Sequence, residues 1–388
     1  MSLVGRDIVC VGTADWDADL PTNQHHLMSR LARANNVLFV ESLGLRQPQV
    51  SSRDLGRVYK RLRRGIAPPR AVDGLHVLSP LVIPLHRYGA VRALNARLLP
   101  WLVRRAARHV GMGPSPLLWS YNPQAEVLAD ALRPSTVIYH CVDDIAAQKG
   151  VDAASFRAAE ARFAGSADMI FTTSEPLAVR MRELSDHVAA MPNVADTGLF
   201  SLALDPGPVD PEMDKLPGPR IVFIGAVVAT KLDVDLLVKL ARARPGWSFA
   251  LVGPVGAGDP STDVSALGGE PNVHLLGARP HDALPQILRG ADAALIPYAL
   301  NDLTASIFPM KVYEYLAAGL PVVATPLPSL RGVDSIVTAA DAETTAARLE
   351  ELIETDGPEP RRERSRLAAG HSWDVRIDEM TAALDSVA

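Results

Sequence analysis

A loop that runs into a helix, with a carboxylate one turn inside it, is the arrangement in this chain best suited to chemistry. Residues 301–326 read NDLTASIFPMKVYEYLAAGLPVVATP. Met310 through Ala318 are good helix formers, Pro309 stands where a missing N–H does no harm, and Gly319 is a natural stop, so a helix is expected from about Met310. A loop entering a helix offers unpaired backbone N–H groups and a partial positive charge, which together seat a phosphate. Glu314 would then accept hydrogen bonds from ribose hydroxyls. Earlier in the sequence, Lys231 follows an apolar run and a glycine, and His140 lies near the end of another apolar run.

Strand ends must position such groups, and the chain supplies them in a regular rhythm. Short apolar runs at 8–11, 37–40, 117–120, 137–141, 167–173, 221–224, 251–252, 273–277, 292–298 and 322–325 read as strands buried on both faces, with helical stretches between them. Strand, helix and parallel strand make a right-handed unit whose ligand crevice lies beyond the C-terminal strand ends. Gly12 and Gly225 each follow such a strand, and Gly12 is expected to let backbone approach a ligand. Asp15, Trp16, His25 and His26 come next to that first crevice; Tyr121, Asn122, His140, Asp143 and Asp144 are expected at the same rim. A histidine in an apolar run is otherwise a core residue, and His25 and His26 are otherwise solvated or capping residues. Ser174 is expected to cap a helix, and prolines between 206 and 219 read as a linker.

A chain of 388 residues is too long for one ordinary core, and 48% hydrophobic with 21% charged residues is a globular composition. Cys10 and Cys141 both sit in apolar runs, so their spacing gives no disulfide framework and no metal site. Neither a signal peptide nor a run of about 20 apolar residues is present, so a cytoplasmic protein is expected. Net charge is −5, yet residues 1–110 hold 17 Lys and Arg against 7 Asp and Glu, which leaves 22 against 37 for the remainder. In 53–64, Arg53, Arg57, Lys60, Arg61 and Arg64 share one helical face opposite Leu55, Val58, Tyr59 and Leu62. A second basic stretch begins at Arg87 and ends at His109. Both suit an anionic membrane surface on the inner face of the cell membrane, or an ordinary solvated face. A nucleic-acid partner is not expected beside the acidic remainder.

Phe308, Glu314, Gly319, Pro321, Val322 and Val323, in that order, resemble the donor-binding segment of retaining glycosyltransferases of the GT-B fold. Met191, Pro192, Asn193, Val194, Ala195 and Asp196 resemble that family's crossover, with Val194 where glycine is usual. The run Tyr139 to Asp144, YHCVDD, looks like the branch that includes teichuronic acid glycosyltransferases. The likeness covers nearly the whole chain through motif order rather than motif strength. It implies an α/β protein with two Rossmann-like domains facing a cleft: 1–200 for the acceptor, 201–370 for the nucleotide-sugar, and a terminal helix over 371–388 returning to the first.

By the same resemblance, His140, Lys231 and Glu314 are the catalytic candidates. Gly12, Gly225, Tyr298, Ser306, Phe308, Pro309, Met310 and Lys311 join Lys231 and Glu314 around the donor. Asp15, Trp16, His25, His26, Tyr121, Asp143 and Asp144 face the acceptor, which is a sugar, a lipid-linked glycan or a small molecule. Two departures stand out: Ser306 replaces the first of two family glutamates, and Ala226 replaces an arginine of the diphosphate loop, a loss Lys311 is placed to offset. Retention is implied by the family alone; no cofactor and no metal are implied, since lysine and backbone N–H groups neutralise a leaving diphosphate. Asp15 and Asp17 are not read as the metal-binding Asp-x-Asp of the other large glycosyltransferase fold, because they follow the first strand of a doubly wound domain. A nucleotide-sugar 2-epimerase of the same fold, a non-catalytic sugar-nucleotide binder and a membrane adaptor are the alternatives.

Overall fold

A computed structural model describes residues 3–18, 20–42, 67–80, 89–148, 150–257, 259 and 261–387, with backbone alone over 89–93. The basic stretch 53–64 and Arg87 lie outside the described residues. The chain divides into two compact units, Met1–Pro192 with Ile377–Ala388, and Asn193–Arg376.

In the first unit the described strands are β1 (Asp7–Val11), β2 (Asn36–Val40), β3 (Arg70–Val72), β4 (Leu75–Leu78), β5 (Leu117–Ser120), β6 (Thr136–Cys141), β7 (Met169–Thr172) and β8 (Val188–Ala190). They form one sheet in the order β3-β4-β2-β1-β5-β6-β7-β8. Every neighbour is parallel except β3 and β4. Among the helices that flank it are α1 (Asn23–Leu31), α2 (Gly89–His109), α3 (Ala153–Ser166) and α4 (Glu175–Arg182). Val9, Val11, Leu38, Val40, Leu118 and Ile170 form the centre of its core, fully buried. The β-branched Ile8, Val9 and Val11 on both faces of β1 are what a central parallel strand requires. The helical stretch between β1 and β2 runs Asn23–Leu31, with Thr22 as its N-cap.

The second unit carries β9 (Arg220–Ile224), β10 (Ser248–Val252), β11 (Val273–Gly277), β12 (Ala293–Ile296), β13 (Val322–Ala324) and β14 (Val337–Thr338) in the order β11-β10-β9-β12-β13-β14, all parallel. Helices α5 (Val234–Ala243) and α6 (Lys311–Ala317) pack on it, and α7 (Trp373–Asp385) begins in this unit and ends in the first. With β9 central, its own end and that of β12 meet where the strand order reverses, the usual place for a ligand in such sheets.

The proline-rich stretch 206–219 is not a free linker. Met213 within it is fully buried, Arg279 pairs with Asp210 at 3.2 Å, and Arg289 donates to the carbonyls of Leu202, Asp205 and Pro208. The chain passes from one unit to the other earlier, at Pro192 and Asn193.

Candidate functional site

At the end of β9 the backbone turns through Gly225, whose φ of 145° only glycine adopts readily. Its N–H donates to the Val252 carbonyl at 2.8 Å, and a methyl on Gly253 would fall 2.0 Å from the Gly225 carbonyl oxygen. The turns after β9 and β10 therefore stack backbone on backbone. Lys231 follows in a tight turn closed by Val228, and its carbonyl accepts from the Ala299 N–H at 2.8 Å. Asp233 N-caps α5, accepting from the Leu236 N–H at 2.9 Å. Leu232 bridges to Tyr298, and the Thr325 hydroxyl donates to the Tyr298 carbonyl at 2.7 Å. Lys231 and Tyr298 are thus held in one frame at the ends of β9 and β12.

Helix α6 starts at Lys311, one residue past the expected position, and ends before Gly319, whose φ is 78°. A side chain at Gly319 would also press on Leu204 and Arg361, so the stop is fixed by packing as well as by conformation. Every α6 residue from Val312 to Ala317 is buried. The Tyr315 hydroxyl oxygen accepts from the Ile224 N–H at 2.7 Å, which ties α6 to the end of β9. Phe308 is buried and stacks on Tyr313 at 5.7 Å, Tyr313 stacks on His371 at 4.0 Å, and the Phe308 carbonyl accepts from Asn193 at 2.9 Å. These contacts fix the loop Ser306, Ile307, Phe308, Pro309 ahead of the helix; Ser306 itself is buried.

Two titratable side chains of α6 respond to this environment. Burial raises the Glu314 pKa above the usual carboxylate value, against the opposing pull of Lys311 and His281. Burial also draws the Lys311 ammonium downward, but Tyr298 and Glu314 more than offset it, so the lysine sits above its ordinary value. The Lys311 nitrogen lies 5.8 Å from the centre of the Phe223 ring. Gly225, Lys231, Tyr298, Phe308, Pro309, Met310, Lys311 and Glu314 all belong to the frame built on the ends of β9 and β12 and the start of α6.

Several sequence expectations for the first unit are altered by the structure. The room Gly12 leaves is filled by its own neighbours: a methyl there would fall 2.4 Å from the Phe39 ring and 2.7 Å from Gln24 Oε1. Trp16 is buried against Phe39 at 4.8 Å and His25 at 5.3 Å. His25 is a capping residue: its Nδ1 accepts from the Thr22 N–H at 3.0 Å, and its Nε2 lies 3.1 Å from the Asp15 carbonyl. Burial lowers its pKa, keeping the ring neutral. Asp15 is exposed and His26 is half-buried. Asp17 pairs with Arg70 at 2.8 Å.

Tyr121 and His140 are not rim residues, because both are buried and stacked on each other at 4.8 Å, with Trp119 and Phe171 around the histidine. The Tyr121 hydroxyl donates to Asn23 at 3.1 Å. Asp144 is held by Arg157 at 2.7 Å and Arg180 at 3.1 Å. The same two arginines reach Glu160 at 3.0 and 3.3 Å, and the Tyr139 hydroxyl donates to it at 2.8 Å. Asp143, half-buried, follows Val142 at the loop this network anchors.

Sequence reasoning missed Glu41, Arg157, Glu160 and Arg180. Arg157 and Glu160 carried a local signal, opposite charges three apart on a helix, whereas Glu41 meets Trp16 and Arg70 only in the folded sheet. On α2, Leu99, Leu102, Val103 and Ala106 are buried, while Leu94, Arg97, Trp101, Arg104, Arg105 and Arg108 are exposed, Trp101 by 55%. Among the described residues no helix is long and apolar enough to cross a membrane, and no group of three or more His, Cys, Asp or Glu side chains is arranged to hold a metal ion.

Comparison with known proteins places this frame in context. Residues 218–355 match the family described as Glycosyl transferases group 1. The chain is 27% identical over 337 residues to TuaH of Bacillus subtilis (strain 168), named as a teichuronic acid biosynthesis glycosyltransferase, covering 83% of this chain and 81% of that one. Among solved structures it is similar to HepE of Anabaena in complex with UDP and glucose, with a TM-score of 0.65 at 14% identity over 98% of this chain and 100% of that one. Sucrose-phosphate synthase of Thermosynechococcus elongatus gives a TM-score of 0.69 at 14% identity over 98% and 99%. Trehalose 6-phosphate synthase of Burkholderia multivorans gives 0.66 at 13% over 99% of each chain.

Proposed function

From the premise that this chain is a glycosyltransferase of the GT-B fold, similar to those of teichuronic acid biosynthesis, we propose that it moves a sugar from a nucleoside diphosphate to a lipid-linked or cell-envelope glycan, with retention and without a metal. The observation that carries the reading is the convergence of Gly225, Lys231, Tyr298 and the Lys311 to Glu314 turn on the ends of β9 and β12, within the segment that matches the transferase family. In the reaction the bond from the anomeric carbon to the β-phosphate oxygen breaks, and a bond from that carbon to an acceptor hydroxyl oxygen forms. The departing diphosphate takes the electron pair and the acceptor loses a proton.

Lys231 and the backbone N–H groups about Pro309 to Lys311 neutralise the diphosphate, and Glu314 accepts from the ribose hydroxyls. Phe308, Pro309 and Met310 shape the wall beside the sugar, with Ser306 nearest to it. His140, enclosed by aromatic rings, acts as a positioning residue under the Val142 to Asp144 loop, and Asp143 faces the acceptor. UDP is the first nucleotide to try, because HepE was solved with it. The exposed Trp101 and Leu94 beside four arginines on α2 favour a membrane-surface acceptor.

Thermal unfolding with UDP, GDP, dTDP and ADP, wild type beside Glu314→Ala, tests the donor assignment. A nucleotide at 100 times its Kd raises stability by about 2.7 kcal/mol. One nucleotide should stabilise the wild type and not the variant; stabilisation of neither sinks the reading. Nucleotide release with acceptor present separates a transferase from a silent binder, and conversion of the nucleotide-sugar to its 2-epimer without acceptor favours the epimerase. Turnover with soluble glycans but never with lipid-linked acceptor in anionic vesicles would remove the membrane part.

A further inference from the structure

The chain enters the second unit at Asn193 and leaves it after Arg376, and both passages are fastened to the loop that precedes α6. The Asn193 side-chain amide donates to the Phe308 carbonyl at 2.9 Å, across 115 residues of sequence. Two residues on, Ala195 forms a parallel bridge with Ser372, and its N–H donates to the His371 carbonyl at 3.2 Å. The His371 ring lies 4.0 Å from the Tyr313 ring at an interplanar angle of 15°, and Tyr313 lies 5.7 Å from Phe308 at 22°. Rings from the turn before α7, from α6 and from the loop ahead of it thus form one column, and Phe308 is held through both its ring and its carbonyl. Glu314 and Lys231 have supports of their own: Tyr315 ties α6 to the Ile224 N–H, and the Lys231 carbonyl accepts from the Ala299 N–H.

Resting on the donor reading above, we propose that His371 and Asn193 are positioning residues for the sugar half of the donor site: acting through Phe308, they hold the wall beside the sugar, while the nucleotide half is set independently. A stacked aromatic pair confines its partners to a narrow range of tilt and offset, so loss of the His371 ring frees Tyr313 and with it Phe308. Loss of the Asn193 amide removes a donor from the Phe308 carbonyl, and Pro309 brings no N–H to anchor the same peptide from its other side. Small displacements of this wall matter to a sugar, because hydroxyl groups are recognised through hydrogen bonds with tight limits of length and angle. A diphosphate is held largely by charge, which falls off gently with distance. The flat ring of His371, not its proton, does the positioning, so another aromatic ring should serve. Both residues act on one target, and their effects must be coupled rather than additive.

The test titrates UDP, GDP, dTDP and ADP, and the glucose-bearing form of each, calorimetrically into wild type, His371→Ala, His371→Phe, Asn193→Ala and the double alanine variant. For whichever nucleotide binds the wild type, His371→Ala should weaken the sugar-bearing form by about fivefold or more and leave the bare diphosphate within about twofold. His371→Phe should restore the sugar-bearing form. Asn193→Ala should match His371→Ala, and the double variant should lose little more than either alone. Melting without ligand checks that each variant folds, and Asn193→Ala carries the test if His371→Ala does not. An equal loss for both forms means that the column serves stability alone, and it overturns the proposal while leaving the donor reading intact. So does a sugar-bearing form that binds every variant as it binds the wild type. Failure of every nucleotide to bind the wild type overturns both.

Discussion

The two units close their central strand ends in opposite ways. In the first, the glycine after β1 is filled by Phe39 and Gln24, the loop beyond it is stapled by Trp16 and His25, and the acidic end of β6 is neutralised by Arg157 and Arg180. In the second, the glycines after β9 and β10 stack on each other, and Lys311, with the Phe223 ring beside it, crosses Gly225. The acidic end of β6 is paired with two arginines, whereas among the described residues Lys231 and Lys311 at the end of β9 make no ion pair. The same strand-turn-helix architecture yields a self-satisfied surface in the first unit and, on the proposed reading, an anion site in the second.

Breaking the internal pairing of the first unit should give the largest effect. Glu160 is 1% exposed and takes hydrogen bonds from Tyr139, Arg157 and Arg180. Glu160→Ala leaves two arginines sharing Asp144 alone, and loss of one partner from a buried network costs about 3 kcal/mol or more. Urea unfolding should show that loss, while nucleotide affinity in whatever fraction remains folded stays that of the wild type. A drop in nucleotide affinity without a drop in stability would mean that this cluster serves the ligand directly, and the contrast between the units would fail.

Much of this contrast was legible in the sequence on one side only. The strand rhythm, both glycine turns, the α6 start and its Gly319 stop all rest on local signals; most fall within a residue or two of the expected place, while the run at 251–252 extends back to Ser248 and β3, β4, β8 and β14 matched no expected run. The self-closure of the first unit was not legible, because Phe39, Gln24 and Glu41 meet Gly12, Thr13 and Trp16 only after the sheet has formed. A histidine at a strand end reads alike whether it faces solvent or, as with His140, three aromatic rings. The β3–β4 hairpin did carry a local signal that went unused: Asp73 and Gly74, at φ 49° and 83°, are the Asp-Gly pair of a two-residue turn. The prolines of 206–219 misled because composition cannot tell a tether from a stretch nailed down by Arg279 and Arg289.

Matched substitutions at the two glycines sharpen the comparison. Gly12→Ala forces the Phe39 ring and Gln24 aside and should lower stability by about 1–3 kcal/mol, with no specific effect on nucleotide binding. Gly225→Ala strains a backbone at φ 145° and displaces Lys311, so it should weaken diphosphate binding by about tenfold on top of a similar loss of stability. Equilibrium melts and nucleotide titrations of both variants separate the two outcomes. If the Gly12 variant loses nucleotide affinity as strongly as the Gly225 variant, the first unit also presents an open turn to the donor, and packing alone does not explain its glycine.

The smallest effect concerns Glu314, whose carboxyl burial holds above its ordinary value of 4.5. A carboxyl that keeps its proton more tightly in the folded chain than in the unfolded one makes ionisation a cost to stability. That cost is absent where both states are protonated, grows as pH rises through the unfolded value, and levels off once the folded value is passed. Glu314→Gln cannot ionise, so its stability relative to wild type should improve between about pH 4 and about pH 7, while the response to nucleotide is lost at both. Urea midpoints at the two pH values give the sign. If the difference instead moves against the variant, attraction to Lys311 outweighs burial, and Glu314 is an internal counter-ion like Asp144 rather than a carboxylate kept for a ligand. In that case the second unit would close its charges as the first one does.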